Sequence, residues 1–391
     1  MDLTVQSADL ERLLSSAAAI SRGDAPVRIV AERIGESIDD TGPDQEPGAP
    51  ETGQLRLVAF NDTLVSEWRC AATIRMSGRA AIIPDGLDRL VKASKAADSS
   101  IDMSISGTDT TPSLRLTTSR SAHEFPLAQE SVFETVDPGR IAGAPANLSN
   151  LAAAISVART AAAARAEAAG ARMVLTGVHL RMRDDHIDVV GTDGRRLALS
   201  RLAPTTLGAF DIGLDTAGLT LPPESLGLLN TMLGDGQTRI ARHDNALVVD
   251  TPSGIVSLRL LDMPFPDYTQ LLGLPTTHAI SLPRADLEIA LSRSSANLSK
   301  DQRSVTVKLS RGADGLHLSS TASGQTSSEC LDTTPGEACE IGFDARYMLT
   351  AIGVFPKSRI DICFDSPTVP IRLTSEDRPD VTMLVMPCRT A

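Results

Sequence analysis

The chain has 391 residues, 42% of them apolar and 22% charged, enough to bury a sizeable core and to fill two or three domains of ordinary size. Its 37 Lys plus Arg against 49 Asp plus Glu leave a net charge of -12, which argues against wrapping of a polyanion by the whole surface but leaves room for a local basic face. Aromatic residues make up only 3%, so base stacking on aromatic platforms is a poor candidate for holding nucleic acid, and any grip must be electrostatic or steric.

The opening, MDLTVQSADLERLL, is acidic where a secretory leader is basic and then apolar, and no apolar run reaches the roughly 18 to 20 residues of a membrane span. A cytoplasmic protein without membrane contact is expected. The first predicted helix is ADLERLLSSAAAI from Ala8, with Asp9 in its first turn and Leu10, Leu13 and Leu14 as one apolar stripe. The phrase returns as ANLSNLAAAISVAR from Ala146, with Leu148 and Leu151, and as ADLEIALSRSSA from Ala285, with Leu287 and Leu291, at steps of 138 and 139 residues.

A second helical phrase follows in each unit: IPDGLDRLVKAS from Ile83, LPPESLGLLNTML from Leu221 and IGFDARYMLTAIGVF from Ile341. Pro84 and Pro222 each lie 76 residues after the first phrase, and Phe343 lies 58 after; proline suits a first helical turn, where its missing N–H is not needed. Between the helices run alternating segments such as QLRLVAF, GVHLRMR, HIDVVGT, ALVVDTP, IVSLRLL, GLHLSST, RIDICFD and VTMLVMP, which read as half-buried strands. The expected fold class is therefore α+β, three copies of an antiparallel sheet covered by two helices. Residues 36–53, ESIDDTGPDQEPGAPETG, read as a solvated acidic loop. Pro, Gly and small residues near Pro138 to Pro145 and Leu274 to His278 place domain boundaries, giving domains 1–138, 145–273 and 278–391.

Five cysteines, Cys70, Cys330, Cys339, Cys363 and Cys388, have no C-x-x-C spacing and are read as reduced thiols; six scattered histidines form no metal-ligand spacing. No nucleophile elbow, Walker A or dinucleotide fingerprint is present, so no cofactor, metal or catalytic residue is expected. The most distinctive string is GTDGRRLALS, Gly191 to Ser200, where Thr-Asp-Gly makes a tight turn, Asp accepting local backbone bonds and Gly taking a positive φ, before a strand. A plain hairpin accounts for it equally well. Helix-borne bases form the other pattern: Arg89, Lys92 and Lys95 recur every three residues opposite Leu87, Leu90 and Val91, and Arg159, Arg165, Arg172, Arg293, Lys300, Arg303, Arg346, Lys357 and Arg359 lie on other predicted helices or their ends. They read either as a segregated positive face or as ordinary solvated helix surface.

TDGRRLA at Thr192 to Ala198, FPDY at Phe265 to Tyr268 and VMPCR at Val385 to Arg389 occur in this order. In these strings, and in its threefold repeat, the chain resembles the bacterial DNA sliding clamp, the β subunit of the DNA polymerase III holoenzyme. The resemblance implies a non-catalytic processivity factor: a head-to-tail homodimeric ring of six domains, strands outside and helices around double-stranded DNA, held without sequence preference. Arg89, Lys92, Lys95, Arg159, Arg165, Arg172, Arg293, Lys300 and Arg303 would face that DNA. It also implies a pocket in which the catalytic polymerase, clamp loader and repair proteins dock short peptides, formed by Leu175, Thr192, Gly194, Arg195, Arg196, Leu197, Pro266, Leu271, Val369, Val385, Met386, Pro387, Cys388 and Arg389. At the ring interface the His123 and Phe125 strand would meet Asn297 to Lys300.

Several positions depart from the family pattern. Cys388 replaces a customary Met, Gln270 stands where many clamps carry Arg, Met173 and Val174 replace a Tyr pair, Asp24 lies near a usual DNA-contacting Arg, and the first domain has VAFNDTLV at Val58 to Val65. These departures make a divergent member the expectation and keep open an alternative, a clamp-fold module that binds partner peptides without encircling DNA. A hydrolase or transferase using Asp184, Asp185 and Asp193 is a third reading from another class.

Overall fold

The computed structural model describes residues 1–18, 20–21, 25–34, 49–94, 99–108, 111–129, 141, 144–164, 170–207, 212–234, 236–295, 306–312, 315–322, 325–333 and 336–389. Its first stretch runs β1 (Asp2–Gln6), α1 (Ser7–Ala18), β2 (Val27–Arg33), β3 (Glu51–Phe60), β4 (Leu64–Met76), β5 (Gly78–Ile82), α2 (Pro84–Ser94), β6 (Ser100–Thr108), β7 (Thr111–Thr117) and β8 (Ala122–Pro126). The second runs α3 (Ser149–Arg159), a 3-10 turn (Gly170–Thr176), β9 (Val178–Met182), β10 (Ile187–Thr192), β11 (Arg196–Leu202), β12 (Leu219–Leu221), α4 (Leu226–Gly234), β13 (Arg239–His243), β14 (Ala246–Thr251) and β15 (Gly254–Arg259). The third runs α5 (Thr269–Leu272), β16 (His278–Pro283), α6 (Arg284–Ser295), β17 (Thr306–Gly312), β18 (Gly315–Ala322), β19 (Gln325–Leu331), β20 (Cys339–Asp344), α7 (Ala345–Gly353), β21 (Arg359–Phe364), β22 (Ile371–Thr374) and β23 (Val381–Val385).

Contacts gather these elements into two compact units, one of Met1–Leu148, Ala209–Ile212 and Gly227–Leu260, the other of Ser149–Gly208, Gly213–Leu226 and Leu261–Ala391. The first unit holds an 11-stranded sheet, ordered β13-β14-β15-β4-β1-β6-β7-β8 with β2, β3 and β5 alongside. The second holds an eight-stranded sheet, β12-β9-β10-β11-β23-β22-β21-β16, and a four-stranded one, β19-β18-β17-β20. The pairings are antiparallel, so the α+β class expected from the sequence holds. Two of them join distant parts of the chain: β15 pairs β4 and β11 pairs β23. Each join covers a strand edge that would otherwise expose a row of unpaired N–H and C=O groups.

The helices form where the leucine stripes lie. In α1, Leu10, Leu13, Leu14 and Ala17 are buried and pack on α2, β3 and β4, each leucine removing apolar surface worth about 1.5–3 kcal/mol from water. In the second unit, α6 and α7 pack together and place Leu287, Leu291, Met348 and Ile352 in a core with Phe343 and Phe364. The third copy of the second helical phrase begins later than its sequence pattern indicates. Ile341 to Asp344 belong to β20, with Ile341 and Phe343 buried, and α7 starts at Ala345, where the Asp344 carboxylate caps it by accepting from the Arg346 N–H at 2.8 Å. Likewise Pro223–Ser225 form a 3-10 turn before α4. Of the predicted acidic loop, Glu51 to Gly53 extend β3, and 36–48 lie outside the described residues.

Candidate functional site

In the second unit, β10 and β11 pair from Ile187 with Leu202 to Thr192 with Leu197, leaving Asp193 to Arg196 to turn the chain. Asp193 Oδ1 accepts from the N–H groups of Arg195 and Arg196 at 2.8 and 2.9 Å, and its Oδ2 from Arg196 Nε at 3.0 Å. Thr192 Oγ1 accepts from the Gly194 N–H and donates to the Arg196 carbonyl. Gly194 adopts a φ of +84°, a conformation in which any Cβ is strained. The turn is as the sequence indicated, and both carboxylate oxygens of Asp193 are engaged in local bonds. Among the described residues no group of three His, Cys, Asp or Glu is placed to hold a metal ion.

The register of β11 on β23 brings the end of the chain to this turn. Arg196 lies opposite Val385 and Leu197 opposite Leu384; the Met386 N–H then donates to the Arg195 carbonyl at 2.8 Å and the Cys388 N–H to the Gly342 carbonyl at 2.7 Å. On one face of this join, Val190, Leu197, Leu199, Tyr268 and Leu384 form an apolar cluster against which Phe265, Leu271 and Leu272 pack half-buried. Asp267 starts the short α5 by accepting from the Thr269 N–H at 3.0 Å, and so carries Leu271 and Leu272 onto the cluster.

A buried charge anchors that covering segment. Asp188, 1% exposed, accepts from the Tyr268 hydroxyl at 2.8 Å and from Arg183 Nε at 3.1 Å, with His186 Nε2 at 3.0 Å and Arg201 Nε at 3.7 Å from its other oxygen. Burial, reinforced by the neighbouring carboxylate, pushes the Tyr268 phenol upward, so it stays a donor. His179 stacks on Phe265 with ring centres 4.5 Å apart and shares a 2.9 Å hydrogen bond with Thr220; burial lowers its pKa to about 4. Beside the turn, Arg195 Nη1 lies 3.4 Å from the Tyr347 hydroxyl, the Arg196 guanidinium stands over the Tyr347 ring at 4.9 Å, and Arg172 Nη2 lies 3.5 Å from the Asp193 carbonyl. The chemistry available here is recognition: an apolar floor, a half-buried wall and three guanidinium groups.

The expected pocket residues divide accordingly. Thr192, Gly194, Arg195, Arg196, Leu197, Leu271 and Met386 meet at the turn and cluster, Met386 being 37% exposed. Pro266 is exposed beside Phe265, Pro387 half-buried and Arg389 exposed, while the Cys388 thiol is half-buried and pushed upward by that burial. Leu175 is buried at the end of the 3-10 turn and Val369 half-buried before β22, neither within the cluster. Val385 faces the other way, into the core beside Met383, and Leu384 takes its place on the site face. Strand alternation in VTMLV carried that signal. Sequence reasoning also missed Phe265, Tyr268, Leu272 and Tyr347 as parts of this site.

Of the residues expected to face DNA, Arg172 sits beside the turn, its Nη2 3.5 Å from the Asp193 carbonyl. Arg89 lies 3.7 Å from Asp85, Lys92 2.6 Å from Asp88 and Arg293 3.4 Å from Glu329; Arg159 is exposed in the last turn of α3. Lys95, Arg165, Lys300 and Arg303 lie outside the described residues, as do Asp24 and Asn297 to Lys300. No described helix is long and apolar enough to cross a membrane.

Residues 272–389 match the family model of the C-terminal domain of the DNA polymerase III beta subunit. Beta sliding clamps of Synechococcus elongatus and Staphylococcus aureus are 27% and 26% identical over 224 residues; the alignments span 55% and 56% of this chain and 58% of each relative, so the match covers little more than half of those proteins. The fold agrees over the whole chain with a Caulobacter crescentus beta sliding clamp (TM-score 0.83, 21% identity, 100% of this chain and 99% of that one) and with the DNA polymerase III subunit beta of Pseudomonas aeruginosa (TM-score 0.80, 20% identity, all of both chains). The resemblance read from three short strings thus holds: the chain has the fold of the bacterial sliding clamps, in a divergent sequence, and its residues 272–389 are similar to the C-terminal domain of the DNA polymerase III beta subunit.

Proposed function

We propose that the chain is a processivity clamp without an active site of its own, built from domains 1–138, 145–273 and 278–391, two copies closing head to tail around duplex DNA. The observation that carries the reading is the join of β11 to β23, which gathers the TDG turn, the FPDY segment and the chain end at one apolar site inside a sliding-clamp fold. That site receives short peptides of a catalytic polymerase, a clamp loader and other partners, apolar side chains resting on Leu197 and Leu384 while Arg195 orients the peptide. Ring closure uses free strand edges. Among the described strands, β8 (Ala122–Pro126) ends the first unit's sheet, largely exposed, and β19 (Gln325–Leu331) ends the four-stranded sheet; antiparallel addition of one to the other across two copies pairs both. Light scattering after size exclusion over a dilution series tests the ring. A stable dimer retained on closed circular DNA and released on linearisation is the expected result, and a monomer at every concentration overturns it.

A second reading has its own observation. Among the described residues, the helix cations Arg89, Lys92 and Arg293 each stand beside a carboxylate, which weakens the field these three offer to phosphates and favours a peptide-binding module that does not encircle DNA. Peptide binding by a chain that is never retained on circular DNA selects this reading.

A further inference from the structure

The first unit repeats the turn-and-strand join of the candidate site. There the hairpin is β3 and β4, with Phe60 opposite Val65, as Thr192 is opposite Leu197 in β10 and β11. Asn61 Oδ1 accepts from the N–H groups of Thr63 and Leu64, both at 2.9 Å, the two bonds that Asp193 accepts from Arg195 and Arg196. A strand from far along the chain lies against the hairpin in the same register: Leu64 opposite Leu258 and Val65 opposite Ser257, with the Arg259 N–H donating to the Thr63 carbonyl at 2.8 Å, as the Met386 N–H does to Arg195. Asn61, Thr63, Val65, Ser257 and Arg259 therefore stand where Asp193, Arg195, Leu197, Leu384 and Met386 stand in the second unit.

At this second join the molecule has a cavity of about 560 Å³, walled by the tips of the β3–β4 and β13–β14 hairpins and lined by Val65, Ser257 and Arg259 among others. Its chemistry is different from that of the first site. Ser257 replaces Leu384, and the rim carries two exposed carboxylates, Asp62 and Asp244, where the second unit has guanidinium groups. Neither of these carboxylates, nor the Arg259 guanidinium, makes an ion pair among the described residues, and His243, which also lines the cavity, buries an Nε2 with no hydrogen-bond partner. The unsatisfied buried imidazole nitrogen carries a desolvation cost, and the exposed, unpaired carboxylates offer a local negative field to a complementary cation.

We propose that this cavity is a second docking site, for a short extended segment of a partner protein that carries a lysine or arginine side chain. The two rim carboxylates hold that cation, the Arg259 guanidinium donates to a carbonyl or carboxylate oxygen of the same segment, and Phe60 and Val65 supply the apolar contact. The inference rests on reading the second unit's site as a peptide pocket, because that site sets the pattern the first unit repeats.

A phage-displayed library of random decapeptides, panned on the full chain, tests it, with enriched peptides remade in soluble form and titrated by fluorescence anisotropy. Two variants separate the sites: Asp62→Lys/Asp244→Asn at the cavity, which keeps a residue tolerant of the φ of +50° at position 244, and Arg195→Glu/Met386→Glu at the other site. The expected result is a class of Lys- or Arg-containing peptides whose Kd rises at least tenfold in the first variant and stays within twofold in the second. The proposal is overturned if every enriched peptide keeps its affinity for Asp62→Lys/Asp244→Asn while that variant melts as the parent does. A library in which no peptide loses affinity for Arg195→Glu/Met386→Glu overturns the peptide-pocket reading of the second unit instead, and leaves the cavity result to be read separately.

Discussion

The two hairpins that carry Asn61 and Asp193 share a register and a pair of side-chain-to-backbone bonds, yet they present opposite surfaces. At Asp193 the next residue is Gly194 at φ +84°, and guanidinium groups and Tyr347 surround the turn over an apolar cluster. At Asn61 the next residue is Asp62, which needs no positive φ; among the described residues Asp244 alone is a non-glycine there. Strand pairing fixes where a site is held, and the side chains grafted on it decide what it takes, so one scaffold supports two chemistries. The second unit also spends a buried charge on holding its wall in place, for which the cavity in the first unit has no counterpart among its lining residues.

The largest expected effect tests that anchor. Asp188→Ala leaves Arg183 and the buried Tyr268 hydroxyl without their acceptor, a loss of about 3 kcal/mol, at the low end for breaking a buried pair because Arg183 still reaches water. Trp68, the single tryptophan, is buried in the first unit, so in urea its fluorescence follows that unit while circular dichroism follows both units together. The dichroism transition should move to lower urea and the tryptophan transition should stay. Coincident movement of both would break the comparison, making the two units one cooperative body.

Acid should act on the same unit. The folded state holds His179 near pKa 4 against 6.5 for the free side chain, so the unfolded chain binds the extra proton as pH falls from 6.5 toward 4 and stability declines over that window, by about 2 kcal/mol at pH 5. Above pH 6.5 the residue is neutral in both states and costs nothing. His179→Gln should flatten the decline in the dichroism transition between pH 7 and 5. An unchanged pH profile in that variant would assign the acid sensitivity elsewhere.

The turns sharpen the comparison at smaller scale. Asp193→Ala removes two backbone acceptor bonds and the Arg196 pair, about 2 kcal/mol, and Asn61→Ala removes two backbone acceptor bonds, the Thr63 hydroxyl bond and the Asn61 Nδ2 bond to the Ile20 carbonyl, also about 2 kcal/mol. Gly194→Ala adds strain of about 1 kcal/mol at a positive φ. Urea midpoints of the two variants check these values, and a loss at Asn61 well below that at Asp193 would show that the Asn61 bonds to Ile20 and Thr63 contribute less than the Arg196 pair.

Much of this is legible in the sequence alone, for a physical reason. The leucine stripes of α1, α3 and α6 and the alternation of β17 and β21 are local periodicities, and the threefold recurrence of one phrase multiplies a weak signal, whereas β10 and β14, expected to be half-buried, are buried on both faces. The Asx turn at Asp193 is readable because its donors are two and three residues away. β4, by contrast, hides as LVSEWRCAATIRM: Glu67 is 8% exposed and survives inside the sheet through Arg56, 3.2 Å away on β3, a partner no local pattern announces. The same holds for Tyr268 and Asp188, 80 residues apart, and for the replacement of Val385 by Leu384 on the site face, which turns on a one-residue choice of strand face.

The smallest expected effect decides what the helix cations are for. Arg89 and Asp85 are both more than three-quarters exposed and 3.7 Å apart, so their pairing contributes under about 0.5 kcal/mol and Asp85→Asn should leave both unfolding transitions in place. Its consequence for DNA is different, because a carboxylate one helical turn away cancels much of the field that Arg89 offers a phosphate. If the helices line a ring, Asp85→Asn frees one cation to displace a counterion, and the logarithmic salt slope of duplex binding should steepen by up to about 0.9 per freed contact. If the chain only binds peptides, DNA affinity stays weak and its slope flat in parent and variant alike. Fluorescence anisotropy of a labelled duplex across a salt series separates these outcomes, and it does so with a substitution that touches neither the TDG turn nor the cavity.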